Sequence, residues 1–423
     1  METTLNELNP WWNKDFILDT DLIYRDIFDE VNNSLSQNDF VLISGMDDFG
    51  KTTTLNFVAF ELIKNLHIQP QRVLFVDFKQ SVPLNYIMTH IESNSPYKTY
   101  LLADNIGDDN KDFTKIVDKY GSLLKVVATK NSNDRFLGTT NYKNFVEYDL
   151  PLVSFTEYLR YKRIINTGQQ LKEIALENIV KSPLIKPLFW NYLIYGSYPY
   201  VLKTDDLNLK QTFLMNKTQR SKLDEDIYKN IYRYLALKTG NLLNICDLAD
   251  SLSVSRYHAE KHLALIEEEN KVSFLPSLDI DIKKALKKSL KIFFHDLGVR
   301  NAFINGFQNI NERFDVENLV LNYAVLFFYH TFPKMEISFF RTTNQTEINL
   351  VLQDESGLIP IQICYDKPSE KIPRIFRFFK DSVKKRISKF IVITKDIYKK
   401  EQLDDTDVLF IPSEILPFFD KIN

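Results

Sequence analysis

The feature that most constrains this chain is a glycine-rich loop pattern near its N-terminus. Residues 45–52, Gly-Met-Asp-Asp-Phe-Gly-Lys-Thr, match G-x-x-x-x-G-K-[ST] and directly follow the apolar residues 40–44. A buried parallel strand predicted at 40–44 and a helix predicted at 53–66 supply the strand, loop, helix order that the pattern requires. The pattern therefore predicts an α/β domain in which backbone N–H groups of the loop point at phosphate oxygens.

The side chains of this loop predict a nucleotide site. Lys51 is placed to reach the β and γ phosphates, and the Thr52 hydroxyl to bind Mg²⁺. Asp47 and Asp48 are unusual inside such a loop, because negative side chains near a triphosphate weaken binding unless they point outward. We expect ATP or another nucleoside triphosphate, with Mg²⁺, as the ligand. The predicted binding residues are Gly45, Phe49, Gly50, Lys51, Thr52 and Thr53.

Three further apolar runs, at 72–77, 99–104 and 124–129, predict parallel strands of the same sheet. Asp104 ends the second run and suits the Walker B acid that holds Mg²⁺ through water; the alternative is an exposed acid at a strand end. Thr129, with Asn131 nearby, follows the third run, where a polar sensor of the γ-phosphate would stand. Parallel strands alternating with helices predict an open α/β sheet.

The residue after Asp104 predicts slow hydrolysis. Hydrolytic P-loop proteins usually carry Glu at this position, as the base that orients water, and this chain has Asn105. An amide cannot accept the proton of the attacking water. We therefore expect weak ATPase activity at most.

Composition narrows the class of protein. The chain has 423 residues, a formal net charge of −3 and two cysteines, Cys246 and Cys364. The near-neutral charge does not favour nucleic acid as a partner, and two distant cysteines do not form a disulfide framework. The apolar residues 319–332 are too short for the roughly 20 residues of a membrane helix. With no signal peptide in sight, we expect a cytoplasmic protein that does not bind membranes.

Several segments, in order along the chain, resemble a known family, the prokaryotic AAA+-type P-loop ATPases with a winged helix and a C-terminal PD-(D/E)XK nuclease-like domain. The segments are Asn9-Pro10-Trp11-Trp12, the P-loop, Asp104, residues 151–159, Gly196-Ser-Tyr-Pro199 and residues 291–298. The resemblance implies four domains: a nucleotide-binding domain at 1–160, a helical lid or linker at 161–224, a winged helix at 225–305 and a nuclease-like domain at 306–423.

The chain also departs from this family. Besides Asn105, it has Lys130-Asn131 where the family has Gly-Ser, and it lacks the Gly-Arg that precedes the proline-containing motif. Without that arginine no arginine finger can be assigned. Arg135 and Arg160 remain candidates, although a solvated surface position suits each better.

The predicted winged helix does not require DNA. Helices are predicted at 225–238, 244–252 and 255–269, and the third ends in three acids, which a recognition helix facing phosphates would not normally do. The basic residues 283–291 fit a solvated wing better than a DNA contact. His258 and His262 have the spacing of a metal pair but no supporting ligands, so we expect neither to bind metal.

The last domain resembles a nuclease without its chemistry. That chemistry needs an acid on one strand and an acid-x-Lys triplet on the next. Here the first strand carries Glu347-Ile-Asn349 and the second Gln362-Ile-Cys364, which leaves Glu317 and Glu347 as the acids. We predict no nuclease activity, and Cys364 as a buried small apolar residue rather than a nucleophile.

These observations favour a nucleotide-dependent switch or scaffold that binds ATP and ADP and offers surfaces to a protein partner or to a second copy. Two alternatives stay open. One is an active ATPase motor in which Asp108, Asp109 or a residue of another subunit replaces the base. The other is a nucleic-acid-binding protein that uses the winged helix.

Overall fold

The structure is a computed structural model that describes residues 4–14, 16–107, 110–134, 144–165, 182–219, 225–278, 289–366 and 370–421. The chain divides into two compact units, Met1–Val153 and Ser154–Asn423. Among the residues so described, no helix is long and apolar enough to cross a membrane.

The first unit alternates strands and helices. Its elements are α1 Leu5–Leu8, α2 Asp26–Gln37, β1 Phe40–Ser44, α3 Lys51–Phe60, β2 Val73–Asp77, α4 Leu84–Ser93, β3 Thr99–Asp104, α5 Lys111–Tyr120, β4 Leu124–Lys130 and β5 Phe145–Asp149. The strand order is β2-β3-β4-β1-β5, and every pairing is parallel. This confirms the predicted fold class of the first domain, an α/β domain with an open parallel sheet.

The parallel arrangement places the functional residues at one edge. β1 and β4 are buried along nearly their whole length, which is why both appear in the sequence as continuous apolar runs. Because all five strands run in one direction, their carboxyl ends meet at the same edge of the sheet. The P-loop leaves β1 at that edge, and Asp77, Asp104 and Thr129 lie at or next to the ends of β2, β3 and β4.

The N-terminal Asn9-Pro10-Trp11-Trp12 segment is hydrogen-bonded to the backbone of strand β2. The indole nitrogens of Trp11 and Trp12 both donate to the backbone oxygen of Val73, at 3.0 Å each. The Asn9 side chain donates to the backbone oxygen of Phe75 at 3.0 Å and accepts from its N–H at 2.6 Å. These bonds satisfy backbone groups of the edge strand β2, which would otherwise be left unpaired.

The second unit begins with helices. They are α6 Phe155–Tyr161, α7 Ile185–Tyr195, α8 Pro199–Lys203, α9 Leu207–Lys217, α10 Glu225–Leu237, α11 Ile245–Leu252 and α12 Arg256–Glu268. The antiparallel pair β6 Val272–Pro276 and β7 Leu290–Phe294 follows. Three helices and a two-stranded sheet share one apolar core, and the winged-helix interpretation of these residues stays a prediction.

The unit ends in a mixed sheet. After α13 Leu297–Phe303 and α14 Val316–Thr331 come β8 Glu336–Arg341, β9 Glu347–Asp354, β10 Gly357–Cys364, α15 Arg374–Ser382, β11 Phe390–Thr394, β12 Lys399–Leu403, β13 Thr406–Pro412 and a 3₁₀ segment, Ser413–Lys421. The strand order is β12-β13-β11-β10-β9-β8. Only the β10–β11 and β11–β13 pairs are parallel.

A buried carboxylate explains the Gly-Ser-Tyr-Pro segment. Asp296 accepts hydrogen bonds from the Ser197 N–H at 2.7 Å, the Ser197 hydroxyl at 2.9 Å and the Val299 N–H at 2.8 Å. Gly196 has a φ of 77°, and a Cβ there would stand 2.3 Å from an Asp296 carboxylate oxygen, so only glycine fits. Two segments that carry part of the family resemblance, Gly196-Ser-Tyr-Pro199 and residues 291–298, are thus joined by hydrogen bonds to Asp296.

Candidate functional site

The P-loop is shaped by its first and last glycines. Gly50 has a φ of 101° and Asp48 a φ of 67°, so the chain turns through left-handed conformations before α3 begins. A Cβ on Gly45 would lie 3.1 Å from the backbone oxygen of Leu150. The sequence folds this way because glycine stands at both demanding positions: Gly45 has little room for a Cβ, and Gly50 has a positive φ.

The Lys51 side chain folds back onto the P-loop and contacts its backbone. Its Nζ donates to the backbone oxygens of Gly45 and Met46, at 2.7 and 2.8 Å. The side chain is buried, and burial lowers its pKa, a shift opposed by the charges of Asp47 and Asp104. An ammonium group held under the loop by carbonyl oxygens alone can exchange those partners for the oxygens of an anion.

Thr52, Asp104 and Thr129 form one hydrogen-bonded cluster. The Thr52 hydroxyl donates to Asp104 Oδ2 at 2.6 Å, and the Thr129 hydroxyl donates to Asp104 Oδ1. Asp104 is 1% exposed, so it is not the exposed strand-end acid of the alternative interpretation. Oxygen atoms of a hydroxyl and a carboxylate are the ligands that Mg²⁺ prefers, and the observed donor set therefore fits that ion.

Asn105 contacts residues at the ends of the two neighbouring strands. It has a φ of 57°, its N–H donates to the Thr129 hydroxyl at 3.0 Å, and its Nδ2 donates to Asp77 Oδ1 at 2.9 Å. Asp77 was missed by the sequence analysis. The available signal was its place at the end of an apolar run, and the register pairs it with Asp104 across β2 and β3.

The two acids of the P-loop differ in surroundings. Asp47 Oδ1 accepts a hydrogen bond from Asn131 Nδ2 at 3.2 Å, which directs this carboxylate toward the end of β4. Asp48 is exposed. Both carboxylates raise the pKa of Lys51 and so lie within electrostatic range of it. Neither acid is therefore fully removed from the phosphate-binding side of the loop.

Arg25 supports the loop and was also missed by the sequence analysis. The side chain is buried, and its guanidinium donates to the backbone oxygen of Phe49 at 3.1 Å and to that of Pro151 at 2.6 Å. Phe49 packs partly buried against the core, and Thr53 is exposed on the first turn of α3. No local pattern marks Arg25, because its partners are far away in sequence.

Four further residues were considered for a part in hydrolysis. Asp108, Asp109 and Arg135 lie outside the residues that the structure describes. Arg160 lies on α6, in the second unit, and is half-buried rather than solvated.

In the last sheet, the side chains at the positions compared with nuclease acids form hydrogen bonds and ion pairs within the protein. Lys291 Nζ donates to Glu347 Oε1 at 2.7 Å, and Arg341 lies 3.5 Å from the other carboxylate oxygen. Asn349 Oδ1 accepts from the Ile363 N–H at 2.8 Å. Burial raises the pKa of Cys364 to about 11, so it remains a thiol at neutral pH.

Lys291 corrects one expectation. The basic residues 283–291 were expected to form a solvated wing, but Lys291 is 1% exposed, on β7, and its charge is used in the pair with Glu347. Residues 283–288 lie outside the described part of the chain. Within that part, no three His, Cys, Asp or Glu side chains converge as a metal site, and the His258 ring contacts Ser255 at 3.1 Å.

Two family profiles match the chain. Residues 186–309 match a "Domain of unknown function (DUF8612)", and residues 315–414 match a "Domain of unknown function (DUF4143)". Each match covers less than half of the chain, and neither description names an activity. No curated protein sequence matches. The nuclease-like interpretation of the last domain therefore stays a prediction.

Several solved structures are similar to the chain at low identity. The Walker-type ATPase PABY2304 of Pyrococcus abyssi is 12% identical with a TM-score of 0.42, covering 69% of this chain and 99% of its own. RuvB of Thermotoga maritima is 13% identical, TM-score 0.30, over 59% and 88%. AMPPCP-bound DnaA of Aquifex aeolicus is 12% identical, TM-score 0.25, over 62% and 92%. Similarity at this level says nothing about what this chain binds.

Proposed function

We propose that this chain binds ATP, or another nucleoside triphosphate, with Mg²⁺ at the P-loop, hydrolyses it slowly and acts as a nucleotide-dependent switch or scaffold. The Thr52–Asp104–Thr129 cluster carries the proposal. A carboxylate that is 1% exposed and accepts hydrogen bonds from two neutral hydroxyls can turn to a cation at the loop without first giving up an ion pair.

The parts of the site divide the work of binding. The loop's backbone N–H groups and Lys51 would hold the phosphates, and Thr52 with Asp104 would hold Mg²⁺, directly and through water. When bound, the ion neutralises phosphate charge. Arg25 keeps the loop in place by tying Phe49 and Pro151 together.

Slow turnover is supported by Asn105. Its amide group is directed to Asp77, and an amide is no proton acceptor at this position. A protein that binds a triphosphate firmly and cleaves it slowly remains in one state long enough to be recognised. The partner that recognises it is a protein or a second copy of this chain, and the cytoplasm is the expected compartment.

Nucleic-acid binding through the predicted winged helix is the weaker candidate. Lys291, one of the basic residues that suggested it, is buried in an ion pair with Glu347. Binding of a DNA duplex at low salt that weakens steeply as salt is added would support it.

The test is titration calorimetry with ATP and ADP in the presence of Mg²⁺, with phosphate release followed on the same samples. We expect the parent protein to bind both nucleotides and Lys51→Ala to bind neither, with phosphate release close to background. The matched control is Lys115→Ala, an exposed lysine on α5 whose charge does not act on Lys51, and this variant should bind normally. Equal binding by the parent and Lys51→Ala would contradict the proposal, and rapid turnover would contradict the slow switch.

A further inference from the structure

The carboxyl edge of the first sheet carries a second acid beside the magnesium-binding candidate. Along this edge the strands follow the order β1, β4, β3 and β2, moving away from the P-loop. Asp104 ends β3, and Asp77 ends β2 directly opposite it in the register. The Asn105 side chain joins the two strands by donating to Asp77 Oδ1 at 2.9 Å.

The contacts of Asp77 leave one of its oxygens with capacity to spare. Oδ1 accepts from the Lys79 N–H at 3.0 Å and from Asn105, whereas Oδ2 accepts from Gln80 Nε2 at 2.9 Å. Each carboxylate oxygen can accept two hydrogen bonds, so Oδ2 can accept one more, from a water. Asp77 is half-buried, so water reaches it.

Asp104 cannot serve as the proton acceptor in the same way. It is 1% exposed, and each of its oxygens already accepts a hydroxyl proton, from Thr52 or Thr129. Asp47 lies within the loop itself, where its carboxylate accepts from Asn131. Among the described residues at this edge, Asp77 combines a place beyond the magnesium-binding candidate with a hydrogen bond to the residue that follows Asp104.

The geometry points to Asp77 as the carboxylate that orients the attacking water in this site, with Asn105 as the residue that positions it. This inference rests on the proposed function, because it concerns the fate of the triphosphate bound there. The water oxygen forms a bond to the γ-phosphorus while the bond from that phosphorus to the β,γ-bridging oxygen breaks. The nucleoside diphosphate leaves with the electron pair, and the water proton passes to Asp77.

The same contacts account for a low rate. Three donors already occupy three of the four acceptor positions of the Asp77 carboxylate, so one position on Oδ2 is left to orient a water. A water held at one position is less firmly oriented for attack, and general-base catalysis depends on that orientation. Slow turnover and a carboxylate displaced to the neighbouring strand are therefore parts of one arrangement.

The test measures single-turnover cleavage of radiolabelled ATP with Mg²⁺ in four full-length proteins: the parent, Asp77→Asn, Asp77→Glu and Lys51→Ala. We expect Asp77→Asn to lower the rate about a hundredfold, the size of a general-base effect, while the Kd for ADP stays within about twofold. Asp77→Glu retains a carboxylate and should stay within about threefold of the parent.

A second background separates chemistry from structure. Asn105→Glu places a carboxylate directly after Asp104, so Asp77→Asn should cost less than about twofold in that background. Equal losses in both backgrounds would show that Asp77 is only structural, and parent-like turnover by Asp77→Asn would overturn the inference. Parent turnover equal to that of Lys51→Ala, with ADP binding intact, would overturn it as well but leave the switch proposal standing. Failure of the parent to bind any nucleotide would instead defeat the proposed function.

Discussion

Asp104 in the first unit and Glu347 in the second are both acids at positions where catalysis by metal ions was considered, yet their surroundings are opposite. Asp104 accepts from two neutral hydroxyls, those of Thr52 and Thr129. Glu347 is paired with the ammonium of Lys291 at 2.7 Å, and Arg341 lies at 3.5 Å. The first carboxylate has neutral hydrogen-bond partners, whereas the second forms an ion pair with a lysine.

The hydrogen-bond partner of a carboxylate decides whether that carboxylate can still bind a cation. A hydroxyl that donates to a carboxylate can rotate and turn its oxygen toward a cation at no cost in charge. A lysine in the same place would have to be displaced from a buried position, which costs several kcal/mol. We therefore expect divalent cations to act at Asp104 and not at Glu347.

The largest expected effect is on stability, from breaking the buried pair of the second unit. Lys291 is 1% exposed and Glu347 26% exposed, so Lys291→Ala leaves a largely buried carboxylate without its main partner. We expect the free energy of unfolding to fall by about 3 kcal/mol, at the lower end for such pairs because Arg341 stays close. Urea denaturation measures the change.

The chain offers a matched control for this substitution. Lys400 and Asp407 also form an ion pair of 2.7 Å in the second unit, but their side chains are 61% and 38% exposed. Lys400→Ala should leave the free energy of unfolding close to that of the parent, because solvent-exposed ion pairs contribute little to stability. The double variant Lys291→Met with Glu347→Gln should recover part of the loss, because it removes both charges together. Equal losses of free energy of unfolding in Lys291→Ala and Lys400→Ala would contradict the expectation that burial makes the Lys291–Glu347 pair more important.

The next effect concerns the cation. Asp104→Asn keeps an oxygen that can accept from Thr52 or Thr129 but removes the charge that attracts Mg²⁺. We expect Mg²⁺-supported ATP binding to weaken roughly tenfold to a hundredfold, the usual cost of losing a supporting ligand. Binding without Mg²⁺ should change little. Calorimetry with and without the ion measures both, and Glu347→Gln, the control in the other region, should leave both affinities at the parent values.

The sequence predicted those parts of the fold that depend on local pattern. β1 and β3 have the predicted bounds, because strands buried in a parallel sheet are continuous apolar runs with polar ends. β5 was missed because it is an edge strand that carries Glu147 and Asp149 and is only partly buried. The helix predicted at 53–66 begins at Lys51, two residues earlier, and its α-helical part ends at Phe60, where a π-helical turn takes over.

The site shows the same division. Lys51, Thr52, Asp104 and Thr129 could be proposed because each follows or ends an apolar strand at a fixed spacing. The contact of Asn105 with Asp77 could not, because it depends on the register between β2 and β3. The burial of Lys291 has the same origin, since its partner Glu347 lies on a different sheet. Pairing across strands is a property of three-dimensional packing, which a one-dimensional pattern does not contain.

The smallest expected effect is on ATP affinity and comes from Asp47, a second acid of the first unit with a neutral hydrogen-bond partner. Asp47 is a third kind of acid: it accepts from the neutral Asn131 side chain, like Asp104, but lies in the P-loop, where its charge acts on Lys51. The Asp47 carboxylate repels the negative charges of a triphosphate bound at the loop. Asp47→Asn removes this repulsion and should tighten ATP binding by about 1 kcal/mol, or roughly fivefold. The gain should shrink as salt rises from low to physiological concentration, since partly exposed charges are screened. Calorimetry at two salt concentrations measures it, with the exposed Asp112→Asn on α5 as the control that should change nothing. Unchanged affinity in Asp47→Asn would show that its contact with Asn131 already holds the charge away from the phosphates.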